Sequence, residues 1–110
     1  MTRTETTTLP VIARRLREAR LRAGISQKTL GILAEIDEFS SSARVNQYER
    51  GKHIPDFQTL EKFARILNVP TEFFYAREDM TAEMLLLFSS LHQRHKSRAI
   101  SYLKKLGEKK

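Results

Sequence analysis

Residues 40–56 read SSSARVNQYERGKHIPD, and the rest of the chain is best understood outward from this stretch. Its first part has the pattern of a short helix over about Ala43 to Arg50, with Val45 and Tyr48 on one side and Arg44 and Gln47 on the other. Ser41 or Ser42 stands where an N-cap is wanted, and Gly51 is a stop signal. Lys52 and His53 follow at once. Catalysis and metal binding call for carboxylates, thiols or converging histidines, and this stretch supplies almost none. A surface that meets phosphates and base edges uses this mixture. Glutamine pairs bidentately with adenine, and arginine pairs with guanine or a phosphate.

The flanking segments read as further helices. Upstream, Pro10 opens a first helix in which Ile12, Leu16, Ala19 and Ala23 recur at helical spacing; the arginines fill the other face and read as solvated surface. Gly24 closes it. Ser26 caps a second helix with Leu30, Leu33 and Ala34 as its apolar face. Gly31 inside that helix costs about 1 kcal/mol relative to alanine, which makes sense if another helix packs closely there. EIDEFSSS then breaks the pattern as a loop. Downstream, Asp56 caps a fourth helix with Leu60, Phe63, Ala64 and Leu67 inward, and Pro70 and Thr71 begin a short fifth turn holding Phe73 and Phe74. Thr81 to Leu91 and about Lys96 to Leu106 read as two more amphipathic helices. No segment alternates as a strand does, so the expected class is all-α.

Composition narrows the function. A chain of 110 residues with 40% hydrophobic content fits one domain with a modest core. The net charge of +7 and pI of about 10.1 favour an anionic partner. Residues 1–23 carry six arginines against Glu5 and Glu18, and the chain from Arg94 onward is basic again. The absence of cysteine excludes disulfides and thiolate metal sites and suits a reducing, cytoplasmic setting. MTRTETTTLP has no apolar region of a signal peptide, and the longest apolar run, Met84 to Phe88, falls far short of the roughly 18 residues of a membrane span. No membrane role is expected. There is no glycine-rich phosphate loop, cysteine nucleophile or serine elbow, so neither an enzyme nor a cofactor is expected. His92 and His95 are spaced i, i+3 without a third ligand and read as surface, not as a metal site.

Two short helices joined by a turn, the second cationic on its free face, make the helix-turn-helix layout. LREARLRAGISQKTL and NQYERGKHIPDFQTLEKFARILNVPTEFF together resemble the phage-repressor-like (Cro/Xre-type) DNA-binding domain over Leu16 to about Phe74. The most specific parts are ISQ, YERGKHIPD and LEKFARILNVP. The resemblance implies a five-helix, lambda-repressor-like helix-turn-helix domain, placed over residues 9–77; the Thr-rich, polar residues 1–8 read as a disordered arm, and the C-terminal pair of amphipathic helices falls within 80–107. It implies that Gln27 bonds a phosphate and props the recognition helix, with Lys28 reaching the backbone beside it. Ser41, Ser42, Ala43, Arg44 and Gln47 fall where the recognition helix meets the groove, and Lys52 and His53 where the backbone lies. Arg20 and Glu49 match a structural ion pair. The chain departs from the pattern in the connection before the recognition helix, which is about four residues longer. That leaves open whether Ser41 or Ser42 leads into the groove, offers Ser40 as a further contact, and offers Phe39 as an extra core residue.

The C-terminal helices carry apolar surface beyond what five helices need. Met84, Leu85, Leu87, Phe88 and Leu91 form one face, and Ala99, Ile100, Leu103 and Leu106 another. Pairing with a second copy is the favoured outlet, and folding back onto the same chain is the other. The expected function is that of a sequence-specific regulator of bacterial or prophage type. It would be a repressor that binds double-stranded DNA at a palindromic operator as a homodimer. The alternative is an antitoxin or interaction module whose C-terminal helices bind a toxin or another protein.

Overall fold

The computed structural model describes residues 9–108. The expected arm at 1–8 lies outside them. The described chain runs α1 (Val11–Ala23), α2 (Gln27–Leu33), α3 (Ser41–Glu49), α4 (Phe57–Leu67), a 3₁₀ helix (Thr71–Tyr75), α5 (Asp79–Ser89) and α6 (Gln93–Glu108), with no strand among the described residues.

Local chemistry sets the ends. Pro10 precedes α1, and its carbonyl accepts the Arg14 N–H at 3.3 Å. Ser26 and Asp56 cap α2 and α4 through side-chain oxygens that accept the Thr29 and Thr59 amides at 3.0 and 2.8 Å. These satisfy donors that a helix start leaves free. Asn68 ends α4 in the left-handed region, with the Val69 N–H donating to the Ala64 carbonyl at 3.0 Å.

One core holds the elements together. Leu16 and Ala19 of α1 meet Leu30 of α2 and Ala34 at its C-cap, Val45 and Tyr48 of α3, and Leu60, Phe63 and Leu67 of α4, with Phe73 and Phe74 closing one end. Tyr48 and Phe63 stack edge-on, 6.0 Å between centroids. Such pairs add about 0.5–1.5 kcal/mol beyond their buried area. Gly31 lies where α2 crosses α3. A Cβ there would fall 2.5 Å from the Ser41 Cβ, so only glycine permits the approach.

Four expectations are corrected. The buried side of α2 is Leu30 and Gly31, continued by the C-cap Ala34, which leaves Leu33 on the outer shoulder and exposed. Phe39 is 96% exposed and takes no part in the core; Ile36 is the loop residue that packs there. The recognition helix begins at Ser41, two residues earlier than its sequence pattern indicates, with Ser40 at the cap position making no side-chain cap bond. Finally, not every arginine of α1 is solvated: Arg15 is 2% exposed. Its Nε donates to the Ala76 carbonyl at 2.7 Å, and its terminal nitrogens reach Glu18 at 2.8 Å and Asp79 at 3.1 Å. The guanidinium also lies over the Phe73 ring, 5.8 Å from its centroid.

Arg15 thereby ties α1 to the segment that leads into α5. That helix docks through Ala82, Leu85 and Leu86, so Leu85 is half-buried against its own domain rather than exposed beside Met84 and Leu87. By contrast, α6 buries no residue. The radius of gyration is 16.1 Å, against about 13 Å for a compact chain of this length, because α6 extends from the body.

Candidate nucleic-acid interface

The inner side of α3 is fixed from three directions. Val45 and Tyr48 insert into the core, and Ser41 is 0% exposed, its hydroxyl donating to the Ile36 and Asp37 carbonyls at 2.9 and 2.8 Å. Glu49, at the other end, receives a fork from Arg20: the guanidinium NH2 group donates to Oε1 at 3.0 Å and Nε donates to Oε2. The pair is buried. Hydrogen bonding to Glu49 raises the Arg20 pKa above its ordinary value despite the opposing effect of burial, so the guanidinium stays charged. Arg20 also donates to the Ile25 carbonyl at 3.1 Å, which links α1, the turn before α2, and α3.

Gln27 completes this support. Its amide nitrogen donates to Asn46 Oδ1 at 3.2 Å and to Glu49 Oε1 at 3.1 Å. The amide nitrogen faces the recognition helix, so the supporting role expected of Gln27 has its bonds in the structure. Asn46 was not singled out in the sequence, although it lies one turn before Arg50 on the flank of α3 facing α2. Arg15 was missed too. The signal was available: it stands three residues after Ile12 and four before Ala19, on the face that the apolar spacing already marks as inward.

With that side fixed, the outer face of α3 presents Ser42, Ala43 and Arg44, all exposed, and Gln47, half-buried. Ala43 and Gln47 are one turn apart and share a face. Ser41, expected at the groove, is behind this face with its hydroxyl spent inside, so Ser42 is the first residue of α3 available to a partner. Ser40, the further contact considered, donates its hydroxyl to the Asp37 carbonyl at 3.4 Å.

The exit from α3 is ordered. The Gln47 carbonyl accepts the Lys52 N–H at 2.9 Å, which holds the exposed Lys52 and His53 against the helix end. Gly51 makes the turn at φ 76°, and a Cβ there would come within 2.8 Å of the Pro10 ring. Both facts require glycine. Lys28 is exposed at the start of α2, and Arg17 and Arg50 line an open cleft between α1, α2 and α3 that Gln27 and Asn46 also line. The outer surface of this unit therefore combines one polar helix face with cations on either side.

The remaining expectations can be placed as well. Met84, Leu87, Leu91, Ile100 and Leu103 are exposed and Phe88 is half-buried; apart from Ile100 they line one apolar groove between α5 and α6. His92 and His95 are both exposed, and among the described residues no three side chains converge as metal ligands. No helix of the described chain is long and apolar enough to cross a membrane.

Comparison with known proteins agrees with this geometry. No curated protein matches the chain. Among solved structures, the crystal structure of the transcriptional regulator BswR superposes with a TM-score of 0.80 at 46% sequence identity, covering 84% of this chain and 92% of that one. A helix-turn-helix domain model matches residues 11–72, which span α1 through the start of the 3₁₀ helix and hold every residue of the interface just described, and the chain accordingly belongs to the helix-turn-helix domain family.

Proposed function

We propose that this protein is a sequence-specific double-stranded DNA-binding transcriptional regulator of the Cro/Xre type, a repressor that acts as a homodimer on a palindromic operator. The observation that carries this reading is the contrast between the two sides of α3. One side is immobilised by Val45, Tyr48, Ser41 and the Arg20–Glu49–Gln27 network, and the other presents Ser42, Ala43, Arg44 and Gln47 to solvent. A base-reading helix needs this arrangement, because discrimination depends on side chains held in fixed register. Gln47 and Arg44 read base edges, each good contact worth about 1–3 kcal/mol of discrimination. Lys28, Lys52 and His53, with Arg17 and Arg50 beside them, supply backbone affinity, and each neutralised phosphate adds about 0.9 to the logarithmic salt slope.

The homodimer reading is supported by the apolar groove between α5 and α6. Met84, Leu87 and Leu103 face water in the single chain, and two-fold pairing through them matches a palindromic site. The same groove supports a second reading, an antitoxin or interaction module that holds another protein there.

Selection from random duplexes at about physiological salt, with the wild type and Gln47→Ala in parallel, tests the first reading. The wild type is expected to enrich a palindrome, and the variant to relax it at one position per half-site. If neither enriches any sequence, specific recognition is wrong. Leu103→Lys separates the dimer from the alternative: sedimentation should show a dimer for the wild type and a monomer for the variant, whereas a wild-type monomer would favour the partner-protein reading.

A further inference from the structure

The turn between α2 and α3 carries a feature that the interface above does not use. Phe39 is 96% exposed, yet the turn around it is tightly bonded. The chain leaves α2 through Glu35 at φ 68°, with the Ile36 N–H donating to the Gly31 carbonyl at 2.9 Å. The Asp37 carboxylate accepts the Phe39 N–H at 3.1 Å, the Asp37 carbonyl accepts the Ser40 N–H at 3.0 Å, and the Ser41 hydroxyl closes onto the Ile36 and Asp37 carbonyls. A bonded turn of this kind fixes where its residues point. Ile36 goes inward and Phe39 goes out, so the ring is presented to solvent at a defined place.

Along the chain that place is next to the reading face. Phe39 precedes Ser41, the first residue of α3, by two positions and the exposed Ser42 by three, at most about 11 Å of chain. In helix-turn-helix docking the N-terminal end of the second helix enters the major groove first. The chemistry of the turn selects what it meets there. Asp37 and Glu38 disfavour close approach to phosphates, so the turn is not a backbone clamp. The apolar feature of the major groove is the 5-methyl group of thymine, against which phenylalanine packs.

We infer that Phe39 is a base-contacting residue whose ring lies on a thymine methyl at the edge of each half-site, next to the bases read by α3. The inference rests on the DNA-binding reading above and extends it to the lengthened turn, which thereby acts as a specificity element.

The test uses the full-length chain. The wild type and Phe39→Ala are each selected on random duplexes, and both are then titrated on the wild-type site with every thymine replaced singly by deoxyuridine, which lacks the methyl. The expected result is one thymine per half-site where loss of the methyl weakens the wild type about fourfold, the worth of one buried methyl group, and leaves Phe39→Ala unchanged. The variant should lose preference at that position alone and melt at the wild-type temperature, since its ring is outside the core. A variant that enriches the same site with the same deoxyuridine profile overturns the inference and leaves Phe39 to a protein contact. Equal weakening on every duplex, random ones included, overturns it as well. If the wild type enriches no sequence, the DNA-binding reading itself fails and takes this inference with it.

Discussion

Replacing Gly31 by alanine tests the contact that sets the recognition helix in place. At an open mid-helix position this change stabilises by about 1 kcal/mol, because alanine is the better helix former. Here the added Cβ would sit 2.5 Å from the Ser41 Cβ and 2.9 Å from both the Ser41 Cα and Oγ. Carbon atoms in good contact are about 3.5–4.0 Å apart, so α2 and α3 must separate by roughly 1 Å. Overpacking of this kind costs about 1–3 kcal/mol. The displacement also strains the bond in which the single Ser41 hydroxyl proton is shared between the Ile36 and Asp37 carbonyls, worth about 1 kcal/mol. The clash outweighs the propensity gain, and Gly31→Ala should destabilise by about 1–3 kcal/mol. Urea denaturation reads this directly: at a mid-range slope of about 2 kcal/mol per molar, a loss of about 2 kcal/mol lowers the midpoint by about 1 M at unchanged slope. Ser41→Gly removes two of the three atoms in the way, so the double variant should recover part of the loss, a coupling that a double-mutant cycle isolates. If Gly31→Ala raises the midpoint instead, the helices do not meet at this point and the account of the glycine is wrong.

Three other perturbations probe separate parts of the fold. Glu49→Gln leaves Arg20 charged and buried without its counter-ion, which should cost about 3–5 kcal/mol in chemical denaturation, while Arg20→Met with Glu49→Leu should cost far less; equal losses would mean that the ion pair stabilises on its own account. Arg15→Met strands the buried Ala76 carbonyl, a loss of about 1–3 kcal/mol, and amide exchange should quicken in α5 before it does in α3. Its charge partners add little, since Asp79 is 93% exposed and Glu18 half-exposed. The Asp56 carboxyl is held below its ordinary pKa of 3.8 by the Thr59 N–H, so its stabilising effect is complete above that value and is lost as pH falls through the depressed native one. Asp56→Asn should therefore flatten stability against pH in the acid limb below about pH 4, and an unchanged acid limb would show that the cap is not titrating.

The interface and the core were unequally legible in the sequence. Helical spacing at Leu16, Ala19, Leu60, Phe63 and Leu67 determined which faces turn inward, because a 3.6-residue period leaves little choice once an apolar stripe exists. Gly51 and Asp56 marked their boundaries, since each solves a local backbone problem that few other residues can. The free face of α3 followed from the same logic: residues that do not pack must be on the outside. Only the tertiary structure decided which partners most of the buried polar groups meet. Helical spacing already puts Arg15, unlike Arg17, on the inward face; what folding supplied is its partners, the Ala76 carbonyl, Asp79 and Phe73, from more than fifty residues away. Ser41 and Ser42 looked equivalent until the Gly31 crossing and two carbonyl acceptors turned one inward. Phe39 had hydrophobicity in favour of the core, but hydrogen bonds across its turn sent Ile36 there instead. Period and composition are properties of neighbouring residues and can be read along the chain. The partner of a buried charge and the direction of a turn are set by atoms that only folding brings together.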